Sequence, residues 1–224
     1  MTALAQFEQR LGYRFTDGEL LERALSHRSL GRYNNERLEF LGDAVLNLVI
    51  AEALYTRCPQ AAEGDLSRLR ATLVRGETLA QIALELELPA LLRLGDSARK
   101  SGGRQRRSIL ADAFEALLGA IYLERGHAAA AEVILRLFGP RLADLPPAHA
   151  LKDPKTRLQE WLQQRGRALP AYRVVAATGA DHARHFVVEC EVALSAPVQG
   201  EGASRRKAEQ AAAARALAAL EAAS

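Results

Sequence analysis

Apolar positions along the chain recur first at helical spacing and then at strand spacing. From residue 1 to about 140 they return every three or four places, the period of an amphipathic helix. Thr16 and Glu19 predict a capping box ahead of Leu20, Leu21 and Leu25. The stretch 34–51 predicts a long apolar helix. Asp65 is positioned to cap another through Leu66, Leu69 and Leu73. Glu77 to Leu88 predicts a further helix that Pro89 stops. Residues 108–124 are apolar on almost every side and end at Gly126; 128–138 follow, before Gly139 and Pro140. No alternating run interrupts this series, so an all-α domain is expected.

The pattern then changes. "GPRLADLPPAHALKDP" (139–154) carries Pro140, Pro146, Pro147 and Pro154 and reads as a linker of limited flexibility. We expect a first domain over 1–145, a linker over 146–153 and a second domain over 154–224. "KTRLQEWLQQRG" predicts a helix with Leu158, Trp161 and Leu162 as its apolar positions. "AYRVVAATG" and "ARHFVVECEVAL" alternate as strands do, with Phe186, Val188, Cys190 and Val192 on one face. "PVQGEGAS" predicts a short third strand or loop. The Ala-rich segment after Ser204 predicts a helix that this serine caps. The second domain is thus a small α+β unit of order α-β-β-β-α.

Charge sharpens this division. The net charge of +3 is confined to one part: residues 1–150 hold 19 basic and 19 acidic side chains, residues 151–224 hold 11 and 8. A basic excess in the smaller part points to a polyanion partner. No apolar run is long enough to span a bilayer, and no apolar signal core follows Glu8 and Arg10. Cys58 and Cys190 are far apart and fit no metal spacing. Free thiols in a cytoplasmic protein are the expectation.

One stretch resists the simple pattern: "NNERLEFLGDAVLNLVIA" (34–51). On a helix, Glu36, Glu39 and Asp43 fall within an arc of roughly 60°. Leu38, Phe40, Leu41, Val45, Leu46 and Val49 occupy the rest of the circumference. A helix apolar all round is expected to be buried, with its acid stripe toward an enclosed cleft. "SILADAFEALLGAIYL" repeats the idea with Asp112 and Glu115. Any one of these acids is most simply a solvated carboxylate paired with an arginine such as Arg37 or Arg70. That reading is weaker for all five, because neither helix has the wide polar face such acids accompany. Crowded carboxylates must protonate or bind cations. Hard oxygen ligands without Cys or His suit Mg²⁺ or Mn²⁺. Two such ions roughly 4 Å apart would stabilise the attacking and leaving oxygens of a phosphodiester. Spacing alone leaves both readings open.

"NERLEFLGDAVL" resembles the signature helix of bacterial ribonuclease III. The similarity continues through "EGDLSRLRATLVRGETLA", "SGGRQRRSILADAFEALLGAIYLERG" and "DPKTRLQEWLQ", in order and over nearly the whole chain. One departure is Ala44, where serine is frequent. The resemblance implies a homodimeric, Mg²⁺-dependent endoribonuclease specific for double-stranded RNA, with Mn²⁺ as a substitute and no other cofactor. It implies water as nucleophile, 5′-phosphate and 3′-hydroxyl ends with short 3′ overhangs, and a part in processing ribosomal and messenger RNA. It assigns Glu39, Asp112 and Glu115 as metal ligands and Asp43 with Glu115 as catalytic. Glu36 and Glu63 become secondary acids. Asn35 and Arg37 would contact RNA or brace the acids. The dimer has a simple rationale: cutting both strands of a duplex needs two clusters related by a two-fold axis.

The second unit resembles a double-stranded RNA-binding domain. A-form RNA hides its bases in a deep, narrow groove, so binders use minor-groove 2′-hydroxyls and phosphates. The resemblance carries such contacts to Thr156, Gln159 and Glu160, to His182 in the loop between the first two strands, and to Arg205, Arg206 and Lys207 at a helix start. Residues 99–108, "RKSGGRQRRS", are basic as well and precede the Asp112 helix. The competing reading is a duplex-RNA-binding protein with a vestigial acid cluster.

Overall fold

Residues 2–146, 152–179, 184–193 and 196–222 are described by a computed structural model of the chain. They fall into two units, Met1–Ala148 and His149–Ser224; residues 147–151 of the expected linker lie outside the described residues.

The first unit is helical, as its periodicity predicts. Helix α1 spans Ala3–Leu11 and α2 spans Gly18–Ala24. The cap of α2 is Asp17, whose carboxylate accepts from the Leu20 N–H, and this corrects the box expected at Thr16 and Glu19. The Thr16 hydroxyl donates instead to Glu124, 3.0 Å away, a tertiary acid invisible to local sequence. Helix α3 spans Glu36–Arg57, α4 Glu63–Leu73 and α5 Gly76–Glu85. Asp65 is not the cap of α4: the helix starts earlier, and Asp65 sits in its first turn, 2.6 Å from Arg68. Pro89 lies in a 3-10 turn, Leu88–Ala90, beyond the end of α5. The short α6, Asp96–Lys100, precedes α7, Arg107–Ala143. Gly126 breaks α7 with φ 76°, a conformation that L side chains rarely adopt.

Helices α3 and α7 form the centre of this unit, and glycine lets them meet backbone to backbone. A Cβ on Gly42 would lie 1.7 Å from the Glu115 carbonyl oxygen, and one on Gly119 would lie 2.2 Å from that of Leu38. No side chain fits at this crossing. Leu38, Val45, Leu46, Val49 and Ile50 are buried around it, with Leu110, Phe114, Leu117 and Ile121 opposite. The expectation that α3 is buried all round is corrected. Phe40, Leu48 and Tyr55 are 81%, 56% and 75% exposed in the single chain. With exposed Ala44 between them they form one apolar stripe along the helix.

The second unit has the expected α-β-β-β-α order. Helix α8, Pro154–Gln163, is capped by Asp153, whose carboxylate accepts from the Thr156 N–H. Strands β1 Ala171–Thr178, β2 His185–Glu191 and β3 Val198–Gly202 form an antiparallel sheet in that order, with a register shift between Val174 and Ala176. Cys190 faces Tyr172 on one side and Val198 on the other. Helix α9, Arg205–Ala222, covers the sheet. Its small residues explain how closely it lies. Ala208, Ala212, Ala213 and Ala216 are buried, and a Cβ on Gly200 would lie 2.0 Å from the Ala212 nitrogen. Leu158, Leu162, Cys190, Val192 and Leu217 complete the core, with Trp161 packed at its edge.

Candidate active site

The crossing of α3 and α7 puts the acids of both helices beside one another. Glu39 and Asp43 flank Gly42. Asp112 and Glu115 lie on the turns before Gly119. One carboxylate oxygen from each of Glu39, Asp112 and Glu115 lies within 4.8 Å of the other two. All three side chains are half-buried.

Their electrostatics suit a set of cation ligands. Burial pushes Glu115 up to about 8, and the charges of Asp43, Glu39 and Asp112 push the same way. Glu39 is raised by burial, then by Asp112 and Glu36. Burial raises Asp112 too, although His27 and Arg28 oppose it. None of the three has a cationic side chain within ion-pair distance among the described residues. Such a group either binds protons or takes a cation of charge two or more. The donors are hard carboxylate oxygens, which fit a divalent ion of the Mg²⁺ type.

Asp43 is more exposed and stands at the border of this group. Asn47, one turn along α3, donates from Nδ2 to Asp43 Oδ1 at 2.8 Å and to its carbonyl oxygen at 3.0 Å. That pairing was available from the i, i+4 spacing. Glu36 is exposed; it accepts from Asn34 Nδ2 at 3.1 Å, and Arg28 stands 3.9 Å away. Glu63 begins α4 outside the cluster and accepts from the Ser67 hydroxyl at 2.8 Å. Asn35 is buried at the start of α3, whereas Arg37 is exposed beside a hollow that Leu38, Phe40, Leu41 and Leu123 also line. In the basic segment, Arg104, Arg106 and Arg107 are exposed just ahead of Asp112. His27 and Arg28, which sequence reasoning missed, stand beside the acids too. Burial and the Arg28 charge hold the His27 ring below its ordinary pKa.

In the second unit, Gln159, Arg206 and Lys207 are exposed, while other expected contact residues have partners within the unit. The Thr156 hydroxyl donates to Asp153 at 2.7 Å. Lys152 grips both oxygens of Glu160 at 2.8 and 2.7 Å. Arg205 lies 2.8 Å from Glu209, which Lys155 also holds at 2.7 Å. Ser204 caps α9, accepting from the Lys207 N–H at 3.2 Å. The cost of placing cations at that helix start is thus offset for Arg205 by an ion pair one turn on. His182 lies outside the described residues.

Comparison with known proteins bears on both units. The family described as Ribonuclease-III-like matches residues 17–142, and the double-stranded RNA binding motif matches residues 154–220. Ribonuclease 3 of Pseudomonas aeruginosa is 58% identical over 219 residues, covering 97% of this chain and 96% of its own. Ribonuclease 3 of Dechloromonas aromatica is 58% identical over 210 residues, covering 93% and 95%. Among solved structures, the nuclease domain of ribonuclease III from Campylobacter jejuni superposes with a TM-score of 0.62 at 45% identity, covering 65% of this chain and 100% of that domain. A second structure of that domain, described for flexibility in a region involved in dimer formation, gives 0.59 at 48% identity, covering 60% and 95%.

Proposed function

The chain belongs to the ribonuclease III family and is a double-strand-specific endoribonuclease that uses a divalent metal; we propose that Glu39, Asp112 and Glu115 hold that metal, and that Mg²⁺ is the ion. The observation that carries this assignment is three carboxylates within 4.8 Å of one another, raised by burial and mutual repulsion. A ligand set without nitrogen or sulfur favours Mg²⁺, with Mn²⁺ as a substitute. When bound, a divalent cation supplies Lewis acidity, neutralising charge on the phosphate and acidifying water.

The protein's own groups do the rest. Glu115, raised by burial and by Asp43, Glu39 and Asp112, would release its proton more readily beside a bound cation. Asp43 has one oxygen engaged by Asn47 and the other available to orient the attacking water and take its proton. Glu36 and Glu63 lie outside the ligand set and act from its margins. Water as nucleophile leaves a 5′-phosphate and a 3′-hydroxyl with no covalent intermediate.

The second unit binds duplex RNA. Arg206 and Lys207 suit phosphates, Gln159 and Glu160 suit 2′-hydroxyls, and Thr156, His182 and Arg205 complete the proposed surface. The enzyme works as a homodimer whose halves meet along the stripe of Phe40, Leu48 and Tyr55. An apolar stripe this exposed is unusual on a monomer. Phe40 stands at the rim of a hollow on the same face, so a two-fold axis would seat each on the other. Two clusters so related make the staggered cut with short 3′ overhangs. Ribosomal and structured messenger precursors are the substrates we expect, in the cytoplasm, where free Cys58 and Cys190 stay reduced. We set the domain limits at 1–145 and 154–224.

The alternative of an inactive duplex binder calls for a lost or scattered carboxylate, and the set is intact. Purified protein incubated with a long RNA duplex is expected to cut it in Mg²⁺ and leave it whole in chelator, with 5′-phosphate ends. Cleavage unaffected by chelator would overturn the metal assignment.

A further inference from the structure

His27 and Arg28 have no part in the chemistry described so far, yet Arg28 stands 3.9 Å from Glu36 and both residues act on Asp112. Arg28 opens a 3-10 turn, Arg28–Leu30, with His27 at its cap position. That turn is fixed from outside. The His27 N–H donates to the Arg93 carbonyl at 3.0 Å, and the Asn35 N–H to the Ser26 carbonyl at 2.8 Å. The Gly95 N–H donates to Ser29 Oγ at 2.9 Å. A Cβ on Gly95 would lie 2.6 Å from the Ser29 carbonyl oxygen, so the 93–95 segment is pressed against the turn.

The imidazole is fixed as well. Its Nδ1 accepts from the Ser29 N–H at 3.2 Å and lies 2.9 Å from the Ser29 hydroxyl. That hydroxyl oxygen already accepts from Gly95, so its hydrogen is free for Nδ1. With Nδ1 an acceptor twice over, the ring carries its hydrogen on Nε2. The charged groups that act on this ring are Arg28, Asp112, Glu36 and Arg106, and Asp112 in turn feels both His27 and Arg28. A fixed N–H donor and an exposed guanidinium 3.9 Å from Glu36 are therefore within electrostatic reach of Asp112, one of the acids assigned above as metal ligands.

A cluster of carboxylates repels the phosphate it must act on. Donors at its rim give an incoming phosphate somewhere to bind. We propose that His27 and Arg28 hold the phosphate of the strand being cut, Nε2–H donating to a non-bridging oxygen and the Arg28 guanidinium neutralising the charge beside it. The proposal rests on the endonuclease reading above and adds two substrate contacts to it.

Three variants separate contact from scaffold. His27→Asn keeps a side-chain acceptor for the Ser29 N–H and lacks the far donor. His27→Gln places an amide N–H near the position of Nε2. Arg28→Gln removes the charge. Single-turnover cleavage of a long RNA duplex in Mg²⁺ is expected to slow by about tenfold to a hundredfold in His27→Asn and Arg28→Gln. His27→Gln should recover part of the rate. Thermal melting, and binding of the same duplex in chelator, should stay at the parental values. His27→Asn cutting at the parental rate would overturn the proposal. So would rate losses that follow losses in melting temperature across the three, which would make the turn a scaffold only. A parent protein that fails to cut in Mg²⁺ would sink the endonuclease reading itself.

Discussion

Glu115 and Glu209 are glutamates on helices of the two units, and their surroundings are opposite. Glu115 is raised to about 8 by burial and by three other carboxylates. Glu209 is held below its ordinary value, chiefly by its bond to Lys155, with Arg205 helping to outweigh its burial. The pattern extends to their neighbours. Glu39 and Asp112 are raised, chiefly by burial. Asp153 is lowered because its burial is outweighed by the bonds from Thr156 and Lys155 together with the Arg206 charge, and Glu189 is lowered by Arg173 and Gln199. One functional group thus serves two purposes. Where cations of the protein already answer it, a carboxylate is a strut. Where like charges crowd it, a carboxylate is raised instead and suits a bound cation.

The largest break in this comparison should come from Glu115→Gln. The amide keeps the shape and removes the charge that holds the ion, so cleavage in Mg²⁺ should fall by about a thousandfold or more. Duplex binding, measured by gel shift in chelator, should stay near the parental value because the second unit is untouched. Equal cleavage by variant and parent would remove Glu115 from the site.

Next comes the crossing that gathers the acids. Gly42→Ala puts a methyl 1.7 Å from the Glu115 carbonyl oxygen, so α3 and α7 must move apart. We expect a loss of about 3 kcal/mol or more, read by denaturant unfolding, with cleavage falling alongside. An unchanged midpoint would show that the helices are held together by something else.

In the second unit the effect should be smaller and of another kind. Neutralising Arg206 and Lys207 together to Gln should weaken duplex binding about equally across sequences and reduce the slope of log K against log salt by about two. Cleavage at low salt and high enzyme concentration should survive. An unchanged slope would take both residues off the RNA surface.

The smallest effect concerns pH in the absence of metal. An acid whose folded pKa lies above its unfolded value binds more protons folded than unfolded, so stability falls as pH rises between the two. For Glu115 that window runs from about 4.5 to about 8, and Glu39 and Asp112 add to it in the same direction. In chelator, melting temperature should fall across this range, and Glu115→Gln should regain about 2–4 °C at its upper end, since partial exposure screens the charges. Mg²⁺ should remove the slope. A chelator profile flat from pH 5 to 8 would mean that the acids are not crowded in solution.

Much of this was legible from residue order. The 3.6-residue period gave α2 to α5 and α7, though not α1 or the short α6, and alternation gave β1 and β2. The acids stood out because their helices lacked a polar face to put them on. Other features escaped. Thr16 looked like a cap, but Glu124, distant in sequence, claims its hydroxyl, and Asp17 caps α2. The ion pair of Arg205 with Glu209 was also not foreseen. His27 gave no signal of its place, because the turn that carries it is fixed by Arg93 and Gly95.

The sequence by itself determined the kinds of element, their order, and the angle each acid makes around its own helix, because those follow from backbone period and side-chain type. It did not determine what lies in the direction each side chain points. That was decided by the contact of Gly42 with the Glu115 backbone and of Gly119 with the Leu38 backbone. It makes Glu39, Asp112 and Glu115 one group, leaves Glu36 and Asp43 at its border, and turns Phe40, Leu48 and Tyr55 outward. The physical reason is that convergence is a property of two helices at one distance and one crossing angle, and neither helix encodes that alone.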